Sequence, residues 1–451
     1  MLGLIINKIF QRFKNSIYQG SLNPPSEQDR IRLVLKSLIL HLHPPTISEK
    51  VIKFNHTFGL GGMVVVLICI QFITGLLLRF TYEPFPGLAY DSILHLQSNI
   101  LFGQLIRNLH HWSAVFLIII TLLHLLRVFF TGAFHDKRQF NWVLGIILFL
   151  IIVFSNFTGY LLPWDQLSYW AVTVSTSILE YVPFIGTFLM EMVLAGKEVG
   201  SSTLLVFYNL HTGIFPILLI LIMAFHFWRV RKAGGVVVPK SDKEDNFVST
   251  IPHLVAKEFV VAIILIAFIL SLSIFFNAPL LEKANPNFSP NPAKAPWYFM
   301  GIQELMLHFH PLFSAIIIPF MILLAAIFLP YFNYDPKETG IWFYSEKGKK
   351  LGINAVILST SLTIIFVLLN EYLIDFTKWF SFLPEIISNG LIPFTLISIG
   401  FVFYYQYLRK KINANLNEVV QTIFIFLLTS LFILTIIGIY FRGEGMSLTF
   451  F

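Results

Sequence analysis

The chain has little cysteine and little charge. Its single cysteine, Cys69, lies inside an apolar run, which excludes an internal disulfide. Charged residues make up only 12% of the 451 residues and hydrophobic residues 56%, a balance that excludes a soluble globular protein. Glycine-rich nucleotide loops and nucleophile motifs are missing, so neither nucleotide-dependent nor hydrolytic chemistry has support.

Long apolar runs dominate the sequence instead. Each is about 20 residues long, which is the length that an α-helix needs to cross a bilayer. Nine such runs cover about residues 57–78, 110–130, 141–161, 208–230, 255–276, 312–330, 352–372, 391–408 and 418–441. Because the runs are continuous rather than alternating, a β-barrel is disfavoured. The sequence predicts an all-α polytopic membrane protein.

The basic residues are distributed unevenly between the loops. The N-terminal segment and every second loop hold 24 of the 31 lysines and arginines. The positive-inside rule therefore predicts a cytoplasmic N-terminus and an outer C-terminus in a prokaryotic cytoplasmic membrane. Residues 1–20 place isoleucines and phenylalanines opposite Lys8, Arg12 and Lys14, which predicts an amphipathic helix on the membrane surface. The formal charge of +7 calls for no nucleic-acid partner.

Four histidines form two matching pairs in the second and fourth runs. His110 and His124 are fourteen residues apart, and His211 and His226 are fifteen apart. A step of fourteen returns to within roughly 40° of the starting direction and about 21 Å further along the helix axis. Since both runs cross from outside to inside, we predict an outer pair, His110 with His211, and an inner pair, His124 with His226. Two b-type haems with bis-imidazole ligation fit this pattern.

Intramembrane histidines can also serve other purposes. A single histidine often serves as a hydrogen-bond partner between helices, but four in matched pairs are costly in a membrane without a further use. Zinc fits less well because two histidines per level leave its usual four-ligand shell incomplete. His111 is a rival to His110, yet no histidine follows it by fourteen residues.

Glycines in the first and third runs repeat with the same period. The pairs, each fourteen residues apart, are Gly61 with Gly75 and Gly145 with Gly159. Glycine allows a flat porphyrin to approach the backbone, although it also permits ordinary close helix packing. Arg107 and Arg127 lie three residues from a histidine, where they could pair with haem propionates or extend to the membrane interface.

Four segments are similar to a known family. They are LHHWSAVFLIIITLLHLLRVFFTGAF, GYLLPWDQLSYWAVTV, FYNLHTGIFPILLILIMAFHFWRVRKAG and NPAKAPWYF. Over roughly residues 40–375 the chain resembles cytochrome b, the membrane subunit of Rieske/cytochrome b complexes. Four features look more like the plant and cyanobacterial branch: the fifteen-residue step and the segments HWSA, LPWDQ and RVRKAG. In that branch the protein is split into two chains, whereas here both parts are fused.

The resemblance implies a division into four parts. Residues 1–56 would be a cytoplasmic-side N-terminal segment, and 57–235 a four-helix domain that holds two haems. Residues 236–375 would be the three-helix C-terminal domain with the quinol-site loop. Residues 376–451 would be an additional pair of helices without histidine, used for packing or subunit docking.

The resemblance also implies the reaction. Quinol would be oxidised at the outer face, with one electron going to a Rieske iron–sulfur protein and then to a c-type cytochrome or an equivalent acceptor. The other electron would cross the two haems to a membrane quinone on the inner side, coupled to proton translocation, and the complex is expected to be a homodimer. Alternatives are a dihaem anchor of a dehydrogenase or hydrogenase, with fewer spans and no PWYF loop, and a haem-free proton-coupled transporter with an inverted repeat.

By the same resemblance, the outer quinol site includes the motif residues Pro296, Trp297 and Tyr298 and is bordered by Tyr169. Pro296 stands where the family has a glutamate commonly assigned as proton acceptor. We therefore hypothesise that Glu304 takes over the proton, with a structural carboxylate as the alternative. Lesser candidates nearby are His308 and His310.

The inner quinone site is expected near Arg231, Lys257 and Glu258, where a carboxylate beside a basic group can relay protons. A positively charged anchor with a solvated carboxylate explains the same residues equally well. The plant-type subunit carries a cysteine near the start of the first span that binds an extra c-type haem. Because Gly59 occupies that position and Cys69 lies mid-helix, we expect no covalent c-type haem.

Overall fold

A computed structural model describes Ser26 and residues 43–238, 246–334 and 339–449. Within these ranges, nine helices are long and apolar enough to cross a membrane. They are α1 (Leu60–Arg79), α2 (Gly103–Phe130), α3 (Asp136–Leu161), α4 (Ser201–Lys232), α5 (Thr250–Phe275), α6 (Leu312–Tyr331), α7 (Glu346–Tyr372), α8 (Ile386–Lys411) and α9 (Leu416–Tyr440). The predicted all-α polytopic fold is confirmed. The amphipathic helix predicted for residues 1–20 lies outside the described residues.

Several helices begin before their apolar runs do. The start of α2 is Gly103 rather than about residue 110, and the start of α7 is Glu346 rather than about 352. In α7 the extra turn is stabilised by Ser345, whose side chain accepts a hydrogen bond from the backbone N–H of Gly348. The length of an apolar run reflects the thickness of the hydrocarbon layer, whereas the hydrogen bonding of the helix continues into the polar residues beyond that layer.

The first five helices share an apolar core halfway along the bundle. Its buried residues include Ile68 of α1, Leu117 of α2, Ile152 of α3 and Leu219 of α4. Each of these lies seven or eight residues from the glycines or histidines at the two predicted levels of its own helix. The core therefore forms an apolar layer between the two levels. Following the predicted orientation, we call the end with His110 and His211 the outer end.

Short helices cover the outer end and were not predicted from the sequence. They are Ala89–Asn99, Gln166–Ser177, Gly186–Leu194 and Met300–Met306. The second begins with a capping box, in which the Asp165 side chain accepts from the N–H of Ser168 and the Ser168 hydroxyl bonds back to Asp165. A second apolar cluster, which contains Trp164 and Leu204, lies beneath these helices.

At the inner end, a small sheet joins two distant segments. Strand β1 (Thr46–Ser48) pairs antiparallel with β2 (Phe247–Ser249), with Ile47 opposite Val248. The sheet therefore fixes the chain before α1 against the chain before α5.

Polar contacts attach the outer end of α5 to α2. Asn108 of α2 is buried; its side-chain oxygen accepts from the N–H of Ala278 at 2.8 Å, and its amide nitrogen donates to the carbonyl of Ser273 at 2.9 Å. The neighbouring Arg107 donates to the carbonyls of Ala278 and Pro279 at 2.9 and 2.6 Å. These contacts hold the beginning of the loop between α5 and α6 in place.

Replacing Asn108 tests this attachment. Asn108→Ala leaves a buried N–H and a buried carbonyl without partners, so we expect a loss of about 1–3 kcal/mol in unfolding free energy. Thermal unfolding of the purified protein in detergent measures it. Asn99→Ala is the control because the Asn99 side chain is exposed and bonds the exposed His95 on its own helix; equal melting temperatures for the two variants would contradict the prediction.

Candidate functional site

The outer histidine pair meets across the bundle. The ring centroids of His110 and His211 are 6.0 Å apart, and the ring planes are inclined by 76°. Metal–imidazole bonds of about 2 Å on opposite sides of one ion place the ring centroids on the order of 6 Å apart. The two rings are therefore spaced as two axial ligands of one metal would be.

A π-helical turn explains why the spacing in α4 is one residue longer than in α2. Residues Leu210–Ile214 form this turn, in which the N–H of Phe215 bonds to the carbonyl of Leu210. Because a π turn accommodates one extra residue, a step of fifteen in α4 matches a step of fourteen in a regular helix. The longer step is visible in the sequence, but the π turn that accommodates it was not predicted.

Each outer histidine is held through its Nδ1 atom. His110 Nδ1 lies 2.9 Å from the Thr74 hydroxyl oxygen, and His211 Nδ1 lies 2.8 Å from the backbone carbonyl oxygen of Ser155. Such bonds orient the ring and leave Nε2 as the ligating atom. Neither partner was predicted. The Ser155 carbonyl belongs to the backbone, so the residue type does not indicate it, whereas Thr74 could have been proposed as a partner because it is a polar residue beside Gly75.

The inner pair lies near a buried cation. His124 lies on α2 and His226 on α4 at the inner level, and Arg127 follows His124 by three residues on α2. The Arg127 side chain is buried; its Nε donates to the carbonyl of His56 at 3.1 Å, and one terminal nitrogen has no hydrogen-bond partner in the part of the chain that the structure describes. A buried guanidinium nitrogen without a partner is what a carboxylate, such as a haem propionate, would satisfy.

All four predicted glycines face histidines. The Cβ of an added side chain would lie near a ring Cε1 atom in each case: Gly75 to His110 at 3.2 Å, Gly159 to His211 at 2.5 Å, Gly61 to His124 at 3.4 Å and Gly145 to His226 at 3.9 Å. Glycines of α1 thus face the histidines of α2, and those of α3 face α4. The two levels predicted from the spacing contain both residue types.

A cavity of about 760 Å³ opens at the outer level. Its volume is within the range of small-molecule and cofactor sites. The residues that line it include both outer histidines and the motif residues Pro296, Trp297 and Tyr298. The Tyr298 hydroxyl is buried and has no hydrogen-bond partner among the described residues, and burial raises the pKa of this phenol, which keeps the proton on it.

Other predicted outer residues lie elsewhere. Glu304 and Tyr169 are absent from the lining of the cavity. Tyr169 is buried in the cluster under the outer helices, and its hydroxyl lies 3.5 Å from the Val199 carbonyl. His310 packs edge-on against Tyr181 with ring centroids 5.3 Å apart. A border position for Tyr169 therefore has no support from these contacts.

Glu304 is fully buried in an ion pair. Two nitrogens of Arg442 donate to its carboxylate at 2.6–3.1 Å, and His308 Nε2 lies 3.3 Å from it. Burial opposes ionisation, but the hydrogen bonds from His308 and Arg442 outweigh it and hold the pKa of Glu304 below its ordinary value. The role of Glu304 as a proton acceptor stays a prediction, and this arrangement does not favour it.

The residues predicted for the inner site contact the segment before α1. Lys257 Nζ donates to the carbonyl of Ile52 at 3.1 Å, and a Glu258 oxygen lies 3.3 Å from His43 Nε2. Arg231 is exposed at the end of α4. The ends of α1, α4 and α5 meet here, because His56 Nε2 also bonds the carbonyl of Val237, just beyond α4.

Comparisons with known proteins decide the family. The family model Cytochrome b/b6/petB matches residues 47–234. Cytochrome b6 of Prochlorococcus marinus (strain MIT 9303) is 42% identical over 180 residues, which are 40% of this chain and 83% of that protein. The chain belongs to the cytochrome b/b6 family. Cytochrome b6 of Synechococcus sp. (strain WH7803) is likewise 42% identical over 190 residues, 42% of this cytochrome b and 87% of the relative.

The fold likeness extends further than the family match. A solved chain described as "Hyperthermophilic respiratory Complex III" superposes with a TM-score of 0.64 at 22% identity and covers 91% of this cytochrome b and 98% of its own length. The resemblance inferred from the four motifs is thereby confirmed. As a cytochrome b, the chain is a b-type haem protein of membrane electron transport.

Replacing a glycine that faces a histidine should reduce the haem content. A valine at position 159 would overlap the His211 ring and the space beside it, so we expect Gly159→Val to lower the ratio of haem b to protein. Pyridine haemochrome spectra measure this ratio. Gly62→Val is the control, because a Cβ there has no neighbour within 4 Å; equal haem content in both variants would refute the assignment.

Proposed function

We propose that this chain is the dihaem membrane subunit of a bc-type quinol oxidoreductase. The observation that carries the proposal is the outer cavity, because the histidine pair His110 and His211 and the motif Pro296–Tyr298 line the same space. A quinol bound at the motif would thus lie in the same cavity as the group held by the histidines. Nine membrane-crossing helices in the described ranges are consistent with this assignment.

The haem ligands in this proposal are His110 with His211 at the outer level and His124 with His226 at the inner level. Arg127 would hold a propionate of the inner group, and the glycines of α1 and α3 would leave room for both porphyrins. When bound, the two haems would supply an electron path across the membrane between an outer quinol site and an inner quinone site. The protein positions these groups and excludes water from them.

At the outer site, the motif residues bind and orient the quinol. The partnerless Tyr298 hydroxyl would bond a quinol oxygen, and Trp297 would provide an apolar wall. Pro296, in place of the family's glutamate, supplies no titratable group. The proton acceptor of this chain would therefore differ from the one that the family motif implies.

At the inner site, Lys257, Glu258 and His43 would deliver protons to a bound quinone. Glu258 and His43 lie within 3.3 Å of each other and are partly exposed, so they can exchange protons with water and with each other. With the N-terminus in the cytoplasm, quinol oxidation outside and quinone reduction inside move charge against the membrane potential. Each elementary charge stores about 2.3 kcal/mol per 100 mV.

The proposed partners are a Rieske iron–sulfur protein, a c-type cytochrome or equivalent acceptor, and a second copy of the complex in a prokaryotic cytoplasmic membrane. A dihaem anchor of a dehydrogenase is the second candidate, since it would also use paired histidines. Affinity purification from native membranes separates the two. Co-purification of a Rieske protein supports the bc-type complex, whereas a flavin- or nickel-containing partner in its place would support the anchor.

Removal of the Tyr298 hydroxyl tests the outer site. Tyr298→Phe deletes one hydrogen bond to the quinol, so we expect the quinol KM to rise about fivefold with the haem content unchanged. Steady-state quinol oxidation by the purified complex provides the measurement. The control is Tyr331→Phe, a change on an exposed tyrosine remote from the cavity lining; an unchanged KM in Tyr298→Phe would argue against a quinol at this position.

A further inference from the structure

The last helix, α9, packs very closely against the short helix Met300–Met306 that follows the quinol motif. An added Cβ at Gly301 of that helix would lie 2.8 Å from the Leu431 carbonyl of α9. In the opposite direction, an added Cβ at Gly438 of α9 would lie 2.6 Å from Met300. Since the two helices meet through glycines, neither has room for a larger side chain.

Polar contacts from the end of α9 lie on both sides of the motif. Before it, Lys294 Nζ donates to the carbonyl of Ile439 at 2.8 Å, and Asn291 Oδ1 accepts from the N–H of Gly445 at 2.6 Å. After it, the Arg442 guanidinium donates to Glu304. The chain from 291 to 304, with the motif in its middle, is therefore attached to α9 and the residues after it at three points.

Arg442 is the centre of a buried charge cluster. It is 4% exposed and Glu304 is 0% exposed. Besides the Glu304 carboxylate, the guanidinium contacts a Glu371 oxygen at 2.9 Å and the Met446 carbonyl at 3.0 Å. Removing one member of such a cluster leaves a buried charge without its partner, which is strongly destabilising. A helix that served only for packing would not require a buried ion pair of this kind.

The Glu304 helix is in turn coupled to the cavity wall. Gln303, its neighbour, folds back on the motif: the Gln303 side-chain oxygen accepts from the N–H of Ala295 at 2.7 Å, and its amide donates to the Ala293 carbonyl at 2.8 Å. Ala295 lines the cavity beside Pro296. A shift of the Glu304 helix would therefore move the wall of the quinol site.

We propose that Arg442 is a positioning residue for quinol oxidation, and that α9 is a built-in part of the outer site rather than a docking helix alone. This inference rests on the proposed function. Arg442 acts through Glu304 and Gln303 on Pro296–Tyr298, without touching the quinol. The buried carboxylate that sequence reasoning assigned to proton transfer serves here as the anchor for the motif.

The test compares Arg442→Met with Arg442→Lys. Its control is Arg409→Met, the same substitution at an exposed arginine of the C-terminal part, which donates to the Ala414 carbonyl at the inner end. We expect Arg442→Met to raise the quinol KM on the order of tenfold through misplacement of the motif. Haem content should stay at the wild-type value, Arg442→Lys should recover most of the loss, and Arg409→Met should be unchanged.

Hydrogen exchange of residues 291–306 in the intact complex provides a readout that does not depend on activity. Exchange should become faster in Arg442→Met and stay unchanged in Arg409→Met. If Arg442→Met does not assemble, Lys294→Met, which removes one of the three attachments, should show the same two effects at smaller size. If the assembled Arg442→Met variant has the wild-type KM and the wild-type exchange rate, the inference is wrong. If the variant exchanges faster but the wild-type complex itself oxidises no quinol, the proposed function is wrong instead.

Discussion

The arrangement depends on one constraint: four imidazole rings have to be accommodated inside a bundle whose core is largely apolar. Polar groups at membrane depth are stable only when they are bonded or ligated. At the outer level, His110 and His211 each use Nδ1 for a hydrogen bond, to the Thr74 hydroxyl and the Ser155 carbonyl respectively, and their ring centroids lie 6.0 Å apart. This geometry leaves the remaining nitrogens for a shared ligand.

The neighbouring helices are adapted to that constraint. Glycines of α1 and α3 lie where a side chain would strike the rings, and an apolar layer with Ile68 and Leu117 at its centre separates the two levels. The π turn in α4 accommodates the one extra residue between His211 and His226, so that both histidines lie on the same face of the helix. The outer cavity then joins this level to a motif nearly 90 residues further along the chain than His211.

The sequence was sufficient for features with a local period. Nine apolar runs, two fourteen-residue glycine steps and two histidine steps could be read directly, because helical geometry converts spacing into direction. Contacts between distant residues could not be predicted in this way. Glu304 and Arg442 are 138 residues apart, and nothing local to Glu304 indicates that its carboxylate is neutralised by the outer end of α9. The Ser155 carbonyl was equally hidden, since it belongs to the backbone.

The most direct test of the account is the haem stoichiometry of the purified protein and of its four single histidine variants. Pyridine haemochrome analysis should give two haem b per wild-type chain. Alanine at position 110 or 211 should remove one haem, and alanine at 124 or 226 the other, with the two classes distinguished by their redox titrations. One haem or none in the wild type, or retention of both haems in all four variants, would contradict paired imidazoles as the basis of the structure.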